Sequence, residues 1–401
     1  MAFSRNDFPF FEKFDGHYAL SAYQTITPKT VIEAVKNYYS EKFTPPGEVK
    51  EHMEEARHEI ASFLGVSSGW EVVWVHNIAE VISQVAQGYA WHKSSDPKVL
   101  LDANADINTN LAWIYYKDIL DYQVKSFNYD YSKGFPLEEF EELVEEEEPD
   151  VITIPAACSI TGYIFPLKEI ARIAHINGAL LFVNGDDIFG HLPLNLQDLS
   201  VDFFVSSYSK ALGPTGIGIL YSPFFNDVSP SILGINSIQK FFYEDEKFII
   251  DLKHGPGRIE GAFFNHAGYF GAKEALKYRI KNDIEKTFEY EQKLHQKLLE
   301  TIQNIDFPKQ ANIFEGPKDS KQLPWVCIDP GIINSQDLAM MLETEYKILC
   351  EAGNLNSLRI MSDKTKSQDL LRISLHAYNT MDDIKFIGES ISELISILSS
   401  N

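Results

Sequence analysis

The sequence predicts an α/β protein: a mostly parallel, seven-stranded-type sheet with helices on both faces, plus a small α+β domain. Three observations predict it. Apolar runs of strand length alternate with helical repeats along the first half of the chain, the order that gives a parallel sheet. A turn rich in Gly, Pro and Ser (206–216) joins two apolar runs, as between core strands. The 401 residues are 44% hydrophobic, enough for one large and one small domain.

Each element has its own signal. A helix begins at Thr27-Pro28, with Val31, Ile32, Val35 and Tyr39 on one face. A second helix over 49–64 stops before Gly65. Residues 70–75 read as a strand and 77–88 as a helix, with Ile78, Val81, Ile82 and Val85 at helical spacing. Strands are expected at 99–101, 124–127 and 151–155, and another runs into Asn184. Helices are expected at 109–120, 137–148 and 167–177. Glu145 to Glu148 form a solvated helix end. Residues 222–290 are irregular and then helical. Three units are therefore expected. Residues 1–25 form an aromatic arm that packs on another subunit, 26–285 a large domain (26–50 could join the small one), and 286–401 a small C-terminal domain.

The formal net charge of −23 argues against partners held by a general anionic field, nucleic acid and acidic membrane among them. Cys158, Cys327 and Cys350 are too few and scattered for a disulfide framework or a zinc site, so a reducing compartment is the default. The first residues lack a basic, apolar leader, and no run nears the roughly 20 apolar residues of a membrane span. A soluble, cytoplasmic protein is expected. No metal-ligand spacing and no Ser-His-Asp signature stands out.

Lys210, in Ser206-Ser207-Tyr208-Ser209-Lys210-Ala211-Leu212-Gly213-Pro214, is the most informative residue. Held between two core strands, its amine can lose solvent, which lowers an amine's pKa and makes it a nucleophile toward an aldehyde. That is the chemistry of a lysine carrying pyridoxal 5'-phosphate as a Schiff base. The plainer reading is an exposed turn lysine.

The surrounding motifs extend the first reading. Upstream stand Val183-Asn184-Gly185-Asp186-Asp187 and Gly190-His191-Leu192-Pro193; near the C-terminus stands Leu371-Arg372-Ile373-Ser374-Leu375-His376-Ala377-Tyr378-Asn379-Thr380. Together they resemble the class V aminotransferase family of type I fold pyridoxal-phosphate enzymes, which includes cysteine desulfurases, isopenicillin-type epimerases and C–S lyases. The resemblance covers nearly the whole chain. It implies a homodimer with an active site built across the subunit interface and an amino acid or amine substrate.

Carried over residue by residue, the resemblance makes Lys210 the cofactor anchor and proton shuttle. It places the phosphate at the helix start after Val75, near His76 and Asn77, with Ser207 and Ser209 as further donors; Asn77 also reads as a plain N-cap. Ile107 or Asp106 takes the place of a ring-stacking histidine. Arg372 becomes the α-carboxylate clamp, with Arg258 a second candidate that also suits an ion pair. His191 and His376 fall at structural positions. The chain departs from the family at several points. Asn184 replaces the Asp that protonates the pyridine nitrogen, Asp187 replaces a Gln beside the ring hydroxyl, Ser209 replaces a His, and Ala79 and Phe263 stand where hydroxyl donors are usual. A desulfurase's mobile cysteine follows the loop glycine; here Asn356 is near that place. Cys350 precedes the glycine and reads as a buried apolar residue. Two functions follow: a retuned pyridoxal-phosphate enzyme of a specialised biosynthetic pathway, aminotransferase-like or a C–S/β-elimination lyase; or a degenerate relative that does not use the cofactor and serves as a binding or scaffold protein.

Overall fold

The computed structural model describes residues 3–40, 45–89, 91, 94–261, 265–357 and 369–400. Its first strand, β1 (His17–Ala19), belongs to the smaller of two main sheets. The larger sheet is built from β2 (Val72–Val75), β3 (Lys98–Asp102), β4 (Gln123–Phe127), β5 (Val151–Pro155), β6 (Leu180–Asn184), β7 (Phe203–Ser207) and β8 (Gly218–Tyr221). The strand order is β2-β8-β7-β6-β5-β3-β4, and β8 alone runs against the others. Every expected strand and helix of this region forms, with ends shifted by a few residues.

Side chains alternate across the sheet as the pleat requires. Phe182, Phe203 and Val205 pack into one apolar layer, whereas Leu181, Val183 and Phe204 pack into the other. Both layers are covered by helices, so the strands are buried on both faces. Such a sheet offers polar groups to a ligand at the C-terminal ends of its strands. Asn184 ends β6 and Ser207 ends β7 there.

The smaller sheet has the order β1-β13-β14-β12-β11, with β11 (Asn312–Phe314), β12 (Trp325–Asp329), β13 (Ile348–Gly353) and β14 (Leu370–Ser374). Helices Ile284–Gln303 and Met381–Ser399 cover it through Leu294, Leu298, Ile387 and Ile391. Between the two sheets the chain forms an antiparallel hairpin of β9 (Ile238–Glu244) and β10 (Lys247–Leu252). The sequence pattern alone leaves that stretch irregular.

The N-terminal segment, expected as an arm on another subunit, packs on its own chain. Phe3 and Phe8 are buried against Tyr278 and Tyr378, and β1 pairs with β13 in parallel. Arg5 and His17 both bond the Asp383 carboxylate, which also closes the capping box of helix Met381–Ser399. Burial opposes that charge, yet the bonds from His17, Arg5 and the cap outweigh it and hold the carboxyl down at about 2. We propose to count residues 1–25 with 286–401 as the small domain, and 26–285 as the large one.

Asp102, at the end of β3, shows the opposite balance. It is 1% exposed, and its carboxylate accepts from Asn104 N–H at 2.8 Å and the Tyr129 hydroxyl at 3.2 Å. Burial outweighs those bonds and pushes its pKa up to about 7. The acid is therefore charged in the unfolded chain above about pH 4 but neutral in the folded one up to about pH 7. Stability that Asp102 contributes below its unfolded pKa is lost as pH rises through 7. Asp102→Asn should match the wild type in urea denaturation near pH 4 and exceed it by a few kcal/mol at pH 8; a pH-independent difference excludes the shift.

Candidate active site

Lys210 is delivered by a one-turn 3-10 helix, Tyr208–Lys210, directly after β7. Its backbone is held from two sides. The Gly190 backbone lies so close that a Cβ there would sit 2.1 Å from the Lys210 carbonyl oxygen. On the other side the Leu212 N–H donates to Thr25 Oγ1 at 2.8 Å. Leu212 itself is in the left-handed region (φ 64°), an uncommon conformation for a branched side chain, and its complete burial holds it there.

The lysine amine donates to Asp187 Oδ1 at 2.7 Å and lies 3.4 Å from Asp186 Oδ2. Only 22% of the Lys210 side chain is exposed. Burial by itself would push the amine's pKa down, as expected from its place between core strands. Asp187 and then Asp186 outweigh it, and the amine is held protonated well above lysine's usual range. Lys210 in turn outweighs the burial of Asp187 and holds that carboxyl below its ordinary value. The depressed amine inferred from sequence is thus corrected: the two adjacent carboxylates reverse the sign.

Asp186 also engages the neighbouring hydroxyls. Ser207 N–H and Ser207 Oγ both donate to Asp186 Oδ1, at 2.8 and 2.7 Å, and Ser209 Oγ lies 2.8 Å from Ser207 Oγ. Asn184 is fixed by its neighbours: Nδ2 donates to Thr109 Oγ1 at 2.9 Å, and Oδ1 accepts from Asp186 N–H at 3.2 Å. Asp106, just before Ile107, is pushed up by burial, with Lys210 pulling the other way. Ile107 opens helix Ile107–Leu120, and its N–H donates to the Asn356 carbonyl.

Arg372 enters from the smaller sheet. It stands directly opposite Glu351 in the β13–β14 register. Arg372 Nε donates to Glu351 Oε2 at 3.0 Å, Nη2 bonds the same oxygen, and Nη1 donates to the Ser159 carbonyl at 3.1 Å. Burial opposes its charge, but Glu351 outweighs it and raises the guanidinium further. The charge of Arg372 is felt at both Lys210 and Asp187.

The remaining expected residues hold bonds to groups outside this cluster. Asn77 is the N-cap of helix Ile78–Gly88, accepting from Glu80 N–H at 2.9 Å, and His76 faces Glu80 at 3.1 Å. Arg258 does not join Lys210: its Nε donates to the Val228 carbonyl at 3.0 Å. Phe263 lies outside the described residues. His191 and His376 both meet the fully buried Glu291, at 2.7 and 3.1 Å, and one ligand atom from each of the three lies within 4.8 Å of the others. Sequence reasoning missed Asp186, Thr109 and Glu351. The adjacent pair Asp186-Asp187 was visible as a doubled carboxylate next to a lysine motif; Glu351 became meaningful only once β13 and β14 paired.

A mostly parallel sheet with a lysine on its C-terminal edge, beside a smaller mixed sheet that supplies an arginine, is the type I fold of pyridoxal-phosphate enzymes. The aminotransferase class-V model matches residues 17–387, and the chain belongs to that family. It is a pyridoxal-phosphate-dependent class V enzyme. Over 99% of its length the chain is 26% identical to a probable cysteine desulfurase of Borreliella burgdorferi, covering 97% of that protein. It superposes on a cysteine desulfurase of Thermococcus onnurineus with a TM-score of 0.87 at 23% identity, over 98% and 97% of the two chains. A cystine C–S lyase gives 0.81 at 17% identity, over 96% and 99%.

The donors present fit the cofactor. An amine for its aldehyde, the Asn184 amide for a ring atom, and the Ser207 and Ser209 hydroxyls for its phosphate share one edge of the sheet. The phosphate end carries a competitor, because Asp186 already accepts both Ser207 donors. Asp187→Asn removes the charge nearest the amine and should lower its pKa. The pH midpoint for acetic anhydride labelling of Lys210, followed by peptide mass mapping, should fall by at least about one unit. An unchanged midpoint excludes the ion pair as the cause.

Proposed function

We propose that the protein catalyses chemistry on the amino group of a small substrate, with Lys210 as the residue that carries the cofactor. C–S/β-elimination lyase or aminotransferase activity is the reading we favour. The observation that supports it is the Lys210–Asp187 contact at the C-terminal edge of the parallel sheet, where a single amine is held charged and oriented. Pyridoxal phosphate supplies an aldehyde for condensation with amines and an electron sink for the bonds at the adjoining carbon.

The chain's own residues supply the rest. Lys210 would bind the aldehyde, and Asp187 would take the proton that the amine must release. Ser207 and Ser209 would hold the phosphate once Asp186 yields their hydroxyls. Asn184, a neutral amide pinned by Thr109, would bond the ring nitrogen without holding a proton on it. That weakens the electron sink relative to a carboxylate partner. It suits reactions in which a leaving group departs early.

The names of the desulfurase relatives carry over only in part. Persulfide chemistry needs a reactive thiolate, and the chain has three cysteines. Cys158 and Cys327 are buried with raised thiol pKa values, and burial pushes Cys350 up to about 12. A lyase that leaves sulfur on the departing group needs no protein thiol, which supports the lyase reading over the desulfurase one. The second reading, a degenerate member that does not use the cofactor, is favoured by one observation, the Asp186 carboxylate on the phosphate donors. We further propose a cytoplasmic homodimer without membrane or nucleic-acid partners. Exposed Phe241, Tyr243 and Phe248 on the β9–β10 hairpin support a second copy of the chain, and no helix of the described residues is long and apolar enough to cross a membrane.

Borohydride reduction of protein mixed with pyridoxal phosphate tests the reading. Peptide mapping should place the phosphopyridoxyl group on Lys210, and Lys210→Ala should abolish it. Asp186→Ala should lower the dissociation constant of the cofactor by about tenfold, since a buried like charge leaves its phosphate site. Adduct spread over other lysines, or none at saturation, establishes the degenerate reading instead.

A further inference from the structure

The turn that carries Lys210 is fastened by a residue from far outside it. Thr25 N–H and Thr25 Oγ1 both donate to the Ser209 carbonyl, at 2.9 and 3.0 Å. The same Oγ1 accepts from Leu212 N–H at 2.8 Å. One residue thus bonds the chain on both sides of Lys210. Thr25 is 2% exposed, so a bond lost there leaves a buried polar group unpaired.

The fastening matters because the turn is strained. Leu212, at φ 64°, has a conformation that persists only where its surroundings impose it. Its side chain shares the buried cluster of Phe3, Ile26 and Tyr378, built by the N-terminal segment. Its N–H is taken by Thr25. That segment is in turn tied to the end of β14, the strand of Arg372. Leu20 pairs with Ser374, and Ala22 N–H donates to Ser374 Oγ at 2.9 Å. The place of the amine is therefore set from the smaller sheet as well as from β7.

We propose that Thr25 is a positioning residue for Lys210: its bonds to Ser209 and Leu212 hold the strained turn and keep the amine 2.7 Å from Asp187. Without the hydroxyl, Leu212 N–H loses its acceptor and the turn relaxes toward ordinary backbone angles. The amine then draws away from Asp187 and Asp186. Those two carboxylates hold its proton against burial and against the charge of Arg372. The proposal rests on the reading that Lys210 is the reacting amine of the site.

Chemical labelling of the full-length chain, freed of cofactor, measures the amine directly. Acetic anhydride takes only the uncharged amine, so at about pH 9 the rate follows the small deprotonated fraction. The exposed Lys133 serves as the internal reference in peptide mass mapping. Thr25→Val should raise the relative Lys210 rate at least about threefold. Thr25→Ala removes the same hydroxyl and should act in the same direction, which guards against a folding defect in one variant. Thr25→Ser restores the hydroxyl and should stay within about 1.5-fold of the wild type. In an Asp187→Asn background the Thr25→Val rise should shrink to about 1.5-fold, because the partner that the turn serves is gone. An unchanged rate in both variants without the hydroxyl, failure of Ser to restore it, or an equal rise with and without Asp187 overturns the proposal. The last result is what a merely loosened fold gives. Failure of the Lys210 reading shows separately, as absence of the borohydride adduct while the labelling rates keep their order.

Discussion

The ion pair between Lys210 and Asp187 sets the terms for everything else at this edge of the sheet. An amine in a largely enclosed site is expected to shed its proton, because burial penalises the charged form. Two carboxylates within 3.4 Å reverse that outcome. The lysine is held as a cation, and the pocket around it can tolerate further carboxylates only because that cation and Arg372 are present. Remove either positive charge and several enclosed acids lose their counter-ion together.

The chemistry follows from how those charges are divided. Asp187 serves the amine, Asp186 serves the Ser207 donors, and Glu351 serves Arg372. Each carboxylate engages a group that the family resemblance assigned to the cofactor or the substrate. Each of these groups is thus already engaged within the chain. Family membership sets the cofactor chemistry.

The large sheet was legible in the sequence because its strands are short apolar runs separated by helices of clear period, as in Val151–Pro155 and Leu180–Asn184. The Lys210 turn was legible for the same reason, since a polar, glycine-rich stretch between two such runs marks the place where the chain leaves one strand and enters the next. The hairpin at Ile238–Leu252 was not: its aromatic residues face outward on both strands, so no buried face marks it. Asn77 read equally as cap and as ligand, and the geometry gives it the capping bond. The sign of the Lys210 shift was out of reach because it depends on distances to Asp186 and Asp187. Glu351 was out of reach because its meaning depends on which residue of β14 stands across from it.

The contact of Gly190 with the Lys210 carbonyl has a mechanical consequence. Helix Asp186–Phe189 ends at that glycine, and the same short helix begins with the two acids that face the amine. Front and back of the lysine are thus gripped by one four-residue turn. Any ligand that draws Asp186 aside tugs on the peptide behind Lys210 as well, so occupancy at the hydroxyl end and the tilt of the amine move as one stiff lever.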